Sequence, residues 1–258
     1  MPVLETQGVS IRFGGLQALG DVSFRVDELE IVGLIGPNGA GKTTFFNCIT
    51  GFYRPDTGLV RYRGEDITGL RPDQRTHLGL GRTFQTVGLV RSFTVLENLI
   101  VAQHQKINYG LAAGILGAPW SIAEEKVLRE RAFEILEYME LIDHAHSPLG
   151  GLSYGMLKQV ETAAVLATDP DVLMLDEPLA GLAPEEAEAF GDRLLEMRRD
   201  LSLTIVIIEH HVPFMLRVCD FLYVLNFGQL LAEGKPDDIR GNRDVAEAYM
   251  GEGASALG

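Results

Sequence analysis

Leu29 to Thr44 reads LEIVGLIGPNGAGKTT: an apolar run, a glycine-rich turn, then Lys-Thr-Thr at what reads as the start of a helix. Gly36, Gly41, Lys42 and Thr43 stand at the defining positions of G-x-x-x-x-G-K-[ST]. The flanks supply the context that this motif needs. Val32 to Ile35 is a short β-branched and leucine run of the kind that forms a buried parallel strand. Thr44 to Ile49 continues as an apolar-rich helix start. Gly36, Gly39 and Gly41 allow a close backbone approach that a Cβ would oppose, so the successive N–H groups of the loop Gly36, Pro37, Asn38, Gly39, Ala40, Gly41 can face a polyphosphate, the proline supplying none. The helix that follows, through Lys42, Thr43 and Thr44, adds its free N–H groups and its positive end. Lys42 supplies a point charge for the β and γ phosphates, and Thr43 a hydroxyl for a metal ion.

The whole chain bounds what surrounds that loop. Its 258 residues suffice for one large α/β domain or a core with a smaller subdomain. Hydrophobic residues make up 46% and charged residues 22%, an ordinary globular balance. With 36 acidic against 22 basic residues the net charge is -14, so there is no cationic excess to displace counterions, and no nucleic-acid partner is expected. Cys48 and Cys219 lie far apart inside apolar stretches and read as free buried thiols. The opening MPVLETQGVSIRF has no basic start leading into a long apolar core, so no secretory signal is expected. The most apolar excursion, Tyr109 to Trp120, is shorter than the roughly 20 residues of a spanning helix.

Val9 to Phe13 and Leu19 to Phe24 read as short strands around a Gly-Gly turn, and Gly58 to Tyr62 as another, giving a β-rich, antiparallel first portion. RGEDITGL reads as a turn. Phe13 either stacks on a nucleobase or packs in the core. The LGRTFQ run from Leu80 reads as a strand that ends at Gln85. Thr94 and Glu97 spell a capping box, residues 105 to 122 a loop or short helix, and Leu128, Ala132, Ile135, Leu136 and Met139 the buried stripe of an amphipathic helix from Ala123. A mainly helical subdomain over residues 86 to 167 follows, set between residues 1 to 85 and 168 to 235 of the sheet-bearing core. Residues 236 to 258 read as a C-terminal helix through Val245, Ala248, Tyr249 and Met250 with a mobile end.

Leu149 to Pro178 is the second informative block. Ser153 and Gly155 precede a helix carrying Val160, Ala163, Ala164 and Ala167, a second potential anion site. Val172 to Leu175 is a short buried strand ending in Asp176 and Glu177, at the sheet edge where ligands bind in open α/β folds. Pro184 opens a helix whose stripe is Ala187, Phe190, Leu194 and Met197. Thr204 to Ile208 is the strongest strand and runs into Glu209-His210-His211. Leu222 to Leu225 and Leu230 to Ala232 read as a hairpin. One phosphate loop, an acidic pair after a second strand and a His after a third describe an ATPase or GTPase. The guanine-specific N-K-x-D is missing, so ATP is the expected nucleotide. Mg²⁺ would then be held by Thr43 and, through water, by Asp176; Glu177 would polarise the attacking water, and His210 would contact the γ phosphate.

GPNGAGKTT, RTFQ, LSYG, LMLDEP and IIEHH, in this order, resemble the nucleotide-binding subunit of an ATP-binding-cassette (ABC) transporter over nearly the whole chain. Within that superfamily RFGGLQAL, NCITGFYRPDTG, RTFQ, LSYG and AGLAPEE resemble the ATPase subunit of branched-chain amino-acid importers. The resemblance implies an α/β P-loop NTPase fold: a mixed, largely parallel core sheet, an N-terminal antiparallel β-subdomain and an inserted helical subdomain. It implies base stacking by Phe13 and a Q-loop role for Gln85, linking metal and attacking water to the membrane partner. Ser153, Tyr154, Gly155 and Met156 fall on the signature that closes over ATP bound to the opposite subunit. Gly181, Leu182 and Ala183 fall on the D-loop, Glu177 on the general base and His210 on the switch histidine. Implied partners are a second copy or a paralogous ATPase, transmembrane permease subunits beside residues 86 to 122 and, indirectly, an extracytoplasmic solute-binding protein. The implied location is peripheral, at the cytoplasmic face of the membrane.

Four positions depart from the family pattern. Tyr154 and Met156 replace the Gly and Gln of the common LSGGQ form, Ala183 replaces an Asp or Asn, and His211 stands where many relatives have Asp. None touches the phosphate-holding residues, so ATP binding is expected to be retained. The competing readings are the ATPase of another ABC transporter, such as a lipopolysaccharide exporter or a urea or amide importer, and a non-transport ABC regulatory protein.

Overall fold

The computed structural model describes residues 2–83, 89–106 and 119–250. Its contacts divide the chain into two compact units, residues 1–82 with 171–258, and residues 83–170.

The first unit carries two sheets. β1 (Leu4–Phe13), β2 (Leu16–Val26), β4 (Thr57–Tyr62) and β5 (Glu65–Asp66) form an antiparallel sheet in the order β2-β1-β4-β5. The Gly14-Gly15 turn joins its first two strands, which are longer at both ends than their most apolar stretches suggest. RGEDITGL is more than a turn, because Glu65 and Asp66 pair back onto Tyr62 and Arg61. The second sheet is six-stranded, in the order β10-β9-β3-β8-β7-β6, with β3 (Ile31–Ile35), β6 (Leu80–Arg82), β7 (Val172–Asp176), β8 (Thr204–Ile208), β9 (Phe221–Asn226) and β10 (Gln229–Gly234). All neighbours are parallel except the β9–β10 hairpin. The LGRTFQ strand ends at Arg82, three residues short of Gln85, which lies outside the described residues.

The two-residue period of the central strands explains the layering. Val32, Leu34, Val172, Met174, Val206, Ile208, Tyr223 and Leu225 face one way, into a core shared with β1, β2, β4 and helix α1 (Lys42–Thr50), whose Phe45, Phe46, Cys48 and Ile49 are buried there. The alternate residues of β3, β7 and β8 are equally buried, as both faces of a parallel sheet must be. Gly33 belongs to that second face. A Cβ there would meet the side chains of Leu222, Met215 and Cys219, so α7 (Val212–Val218) packs directly against the strand. The remaining helices of this unit are α2 (Pro72–His77), α6 (Pro184–Asp200), α8 (Pro236–Arg240) and α9 (Arg243–Met250). In α9, Val245 and Tyr249 are buried.

The second unit is built on α3 (Val95–Ala102), α4 (Pro119–Tyr138) and α5 (Tyr154–Leu166), each in contact with the other two. The capping box at the start of α3 forms as read: Thr94 Oγ1 accepts from the Glu97 amide, and Glu97 accepts from the Thr94 amide at 2.7 Å. The five expected stripe residues of α4 and its continuation, Leu128, Ala132, Ile135, Leu136 and Met139, are all buried. No described helix is long and apolar enough to cross a membrane.

Candidate active site

Strand register gathers the expected residues at one sheet edge. Ile208 of β8 pairs with Leu34 of β3 on one side and with Asp176 of β7 on the other. The glycine-rich loop, the acidic pair and Glu209-His210 therefore leave three adjacent parallel strands at the same C-terminal edge, within about 10 Å across at the usual strand spacing.

The loop after β3 is shaped by two glycines. Gly36 has φ 153°, and a Cβ on it would lie 2.1 Å from the Leu225 carbonyl oxygen of β9. Gly41, at φ 101°, caps α1 in a conformation that side chains oppose, and Ala18 O would lie 2.8 Å from its Cβ. Asn38 and Gly39 are exposed at the crest, while Ala40 is buried and accepts from the Gly228 amide at 2.9 Å. Lys42 is only 6% exposed, and its ammonium donates to the carbonyls of Gly36 at 2.6 Å and Pro37 at 3.0 Å. Its charge is thus held over the loop. Thr43 and Thr44 are half-buried in the first turn of α1.

Phe13, at the end of β1, is 45% exposed, which sets aside the core alternative. Its ring meets the edge of Tyr53 at 5.2 Å, forming an exposed aromatic pair. Tyr53 carried no signal in the sequence beyond its place in NCITGFYRPDTG.

Asp176 is fully buried at the tip of β7 and pairs with Arg82, whose Nη2 donates to Oδ2 at 2.9 Å. Glu177 follows in the left-handed region at φ 48°, a strained setting for a non-glycine residue. Its amide donates to Ile208 O at 3.0 Å, and its carbonyl accepts from Ala180. The strand exit is pinned, and Glu177 is half-buried.

Gly181, Leu182 and Ala183 form a tight turn into α6, with Leu182 N donating to Leu179 O at 3.0 Å. Ala183 occupies the N-cap without a side-chain acceptor, and Glu186 reaches back to its amide at 2.8 Å. His210 is exposed, with Nδ1 3.5 Å from Glu209 Oε2. His211 caps α7, its Nδ1 accepting from the Phe214 amide at 3.2 Å, a task that an Asp also performs. The residue that sequence reasoning passed over here is Glu209. It is fully buried, accepts from Leu179 N at 2.9 Å and His210 N at 3.0 Å, and so ties the two loops together. Burial pushes its carboxyl above the ordinary range against the opposing pull of those amides. Beside it opens a cavity of about 530 Å³ lined by Leu179, Gly181, Leu182, Glu209, His210 and Arg217, among others.

The residues read as a signature belong to the second unit. Ser153 is the N-cap of α5 and accepts from Met156 N at 3.2 Å. Gly155 sits buried inside the first turn rather than before it, because Ser153 already ends the non-helical segment. Tyr154 is 46% exposed and Met156 half-buried.

A glycine-rich loop between a central parallel strand and a helix, with a buried carboxylate at the tip of a second strand of that sheet, defines a P-loop nucleotide-binding protein. The family model described as ABC transporter matches residues 19–180, and one described as branched-chain amino acid ATP-binding cassette transporter matches residues 229–255. The high-affinity branched-chain amino acid transport ATP-binding protein LivG of Salmonella typhimurium is 45% identical over 97% of this chain and 98% of its own. BraF of Pseudomonas aeruginosa, described in the same words, is 43% identical with the same coverage. Among solved structures, the ADP conformation of MJ1267, an ATP-binding cassette of an ABC transporter, superposes with a TM-score of 0.85 at 36% identity, covering 97% of this chain and 99% of that one. A dimeric post-hydrolysis state of the cassette MJ0796, bound to ADP and Pi, matches at 0.76 and 26% identity over 90% and 98%. The chain belongs to the ABC transporter family and is an ABC ATPase.

Proposed function

We propose that this chain is the MgATP-hydrolysing subunit that energises an importer of branched-chain or related hydrophobic amino acids. The observation that carries this reading is the end-to-end likeness to LivG and BraF, with the separate match of its last strand and C-terminal helix. The loop from Gly36 to Gly41 cradles the phosphates with Lys42, and Phe13 stacks on the adenine. Mg²⁺ suits the donor set. Among the described residues no three His, Cys, Asp or Glu side chains form a cage for a resident metal. One buried carboxylate and a threonine hydroxyl suit a cation that keeps waters and nucleotide oxygens as its other ligands. Bound there by Thr43 and, through water, Asp176, it would neutralise charge on the β and γ oxygens.

Glu177 accepts a proton as water attacks the γ phosphorus, and the bond to the β-phosphate oxygen breaks to release ADP. His210 contacts the γ phosphate, and Gln85, outside the described residues, links this chemistry to the permease. Gly181 to Ala183 meet the opposite ATPase across the dimer. That partner, a second copy or a paralogue, presents Ser153, Tyr154, Gly155 and Met156 in return. The complex places the chain at the cytoplasmic face of the membrane, with a solute-binding protein on the other side.

Co-purification with the permease tests the assembly, and ATPase assays with binding protein and leucine-like solutes test the substrate. Hydrolysis should rise with the correct solute; no stimulation by any of them would reject the amino-acid reading. In the same assay Glu177→Gln should keep nucleotide binding and lose about 10²–10⁴ in turnover. Parent-like turnover would remove Glu177 as the base.

A further inference from the structure

We propose that Arg82 is a positioning residue for the metal site, locking Asp176 of β7 to α1, the helix that carries Thr43, so that carboxylate and hydroxyl keep one mutual geometry. The inference rests on the metal-side reading of Asp176 and Thr43.

The Arg82 side chain is 8% exposed, and its two terminal nitrogens reach two elements. Nη2 meets Asp176 Oδ2 at 2.9 Å; Nη1 meets both Asn47 Oδ1 and Thr50 Oγ1 at 2.7 Å. Thr50 can accept because its own hydroxyl hydrogen goes to Phe46 O at 2.7 Å. The guanidinium carbon lies 5.5 Å from the centre of the Phe46 ring and 5.6 Å from that of Phe52, in cation–π range of both. Three hydrogen bonds and two ring contacts leave the fork little freedom, and Arg is pre-organised to make such a set where Lys is not.

The function follows from what lies at the two ends. Asn47 and Thr50 sit on the same nine-residue helix that opens with Lys42 and Thr43. Mg²⁺ demands near-octahedral geometry, so with the hydroxyl as a ligand and the carboxylate accepting from a metal-bound water, a small displacement of one from the other would cost affinity. Neutralising a buried Asp would require only a positive charge; holding α1 against β7 requires the planar fork. Arg82 is also the last residue of its unit, the chain passing to the second unit at Thr83. The point where the chain leaves the core is therefore anchored on the metal-side carboxylate.

Titration of the full chain with a fluorescent ADP analogue, in EDTA and in Mg²⁺, separates the two roles. The readout is the gain in affinity that Mg²⁺ brings. Arg82→Lys keeps the charge and should reduce that gain about tenfold, as partners that orient metal ligands do, while affinity in EDTA stays within about twofold of the parent. Asp176→Asn should lose a comparable part of the gain, and Arg82→Lys added to it should cost nothing more. A parent-like gain in Arg82→Lys, equal losses in EDTA and Mg²⁺, or an undiminished effect of Arg82→Lys in the Asp176→Asn background would overturn the proposal. A parent-like gain in Asp176→Asn alone would instead remove the metal reading of Asp176 on which it stands. Should Arg82→Lys fail to fold, Asn47→Ala removes one strut and leaves both charges; it should reduce the gain about threefold, and an unchanged gain there overturns the proposal.

Discussion

Gly36→Ala and Gly39→Ala change two glycines of one loop, both at positive φ, and the structure predicts unequal consequences. The Cβ added at Gly36 would lie 2.1 Å from Leu225 O, with both partners backbone. A carbon–oxygen contact settles near about 3.3 Å, so the loop and β9 must part by roughly 1.2 Å, the difference between the two. Left-handed strain costs about 1–3 kcal/mol and overpacking about 1–3 kcal/mol, together about 2–6 kcal/mol. At about 3 °C per kcal/mol for a chain of this size, unfolding should come roughly 6–18 °C earlier. The carbonyls of Gly36 and Pro37 also seat the Lys42 ammonium, so the displacement falls on the proposed phosphate site, and a shift of about 1 Å there should cost about 100-fold in turnover. Gly39 has φ 77° and nothing within 4 Å of an added Cβ. Its substitution should cost only the intrinsic left-handed penalty of about 1–2 kcal/mol. Thermal unfolding followed by circular dichroism, with nucleotide titration on the same samples, ranks the two. A Gly36→Ala protein that melts and binds as the parent does, or a Gly39→Ala protein that is the more damaged, would refute the crowding argument.

Three further outcomes are expected. Phe13→Ala should weaken ATP binding by about 1–3 kcal/mol, the worth of a stacked base, and leave tripolyphosphate binding and the unfolding midpoint unchanged; equal losses for both ligands would show that the ring supports the loop rather than the base. Ala183→Asp places an acceptor at a bare N-cap and should stabilise the chain by about 1 kcal/mol in urea unfolding, so an unmoved midpoint would deny the cap its vacancy. Burial raises the Glu209 carboxyl above its unfolded value. The folded state then binds the proton more tightly, and this group's contribution to stability falls as pH rises from the ordinary carboxylate range through the folded value. Glu209→Gln should remove that part of the pH slope; an unaltered slope would assign it to other groups.

What the sequence disclosed and what it hid follow one physical division. Val32–Ile35, Val172–Leu175 and Thr204–Ile208 were legible because strands buried on both faces need continuous apolar runs, and their register then dictates that the phosphate loop, Asp176 and His210 share an edge. The start of α3 was legible because its capping box is local. Features held by distant partners were not. Helix α2 is only Pro72–His77, and its Arg75 is buried by bonding to the nearby carbonyls of Thr68 and Leu70 and to those of Cys48 and Ile49, 27 and 26 residues away, which the local sequence does not announce. Helix α7 begins at a histidine cap followed by Val212 and Pro213, a start that the reading of Glu209-His210-His211 did not include. Arg82 had one visible sign, a charge inside an otherwise apolar strand, but its three acceptors lie 32 to 94 residues away.

The departures from the family pattern gain different weights once their surroundings are known. His211 keeps the hydrogen bond that an Asp would make, so the start of α7 is conserved in function although the charge is lost. Ala183 gives up a cap, but Glu186 still returns to its amide, and Pro184 needs no partner for a missing N–H. Both positions flank loops that Glu209 joins through Leu179 and His210. A shift of either loop must stretch a bond to one buried carboxylate, so the turn after Leu179 and the segment at His210 resist separate movement. The side chains that vary here sit at the ends of the two helices, while the groups that hold the loops together are a buried Glu and two backbone amides. The arrangement of the two loops therefore depends more on the bonds to Glu209 than on which residue stands at 183 or 211.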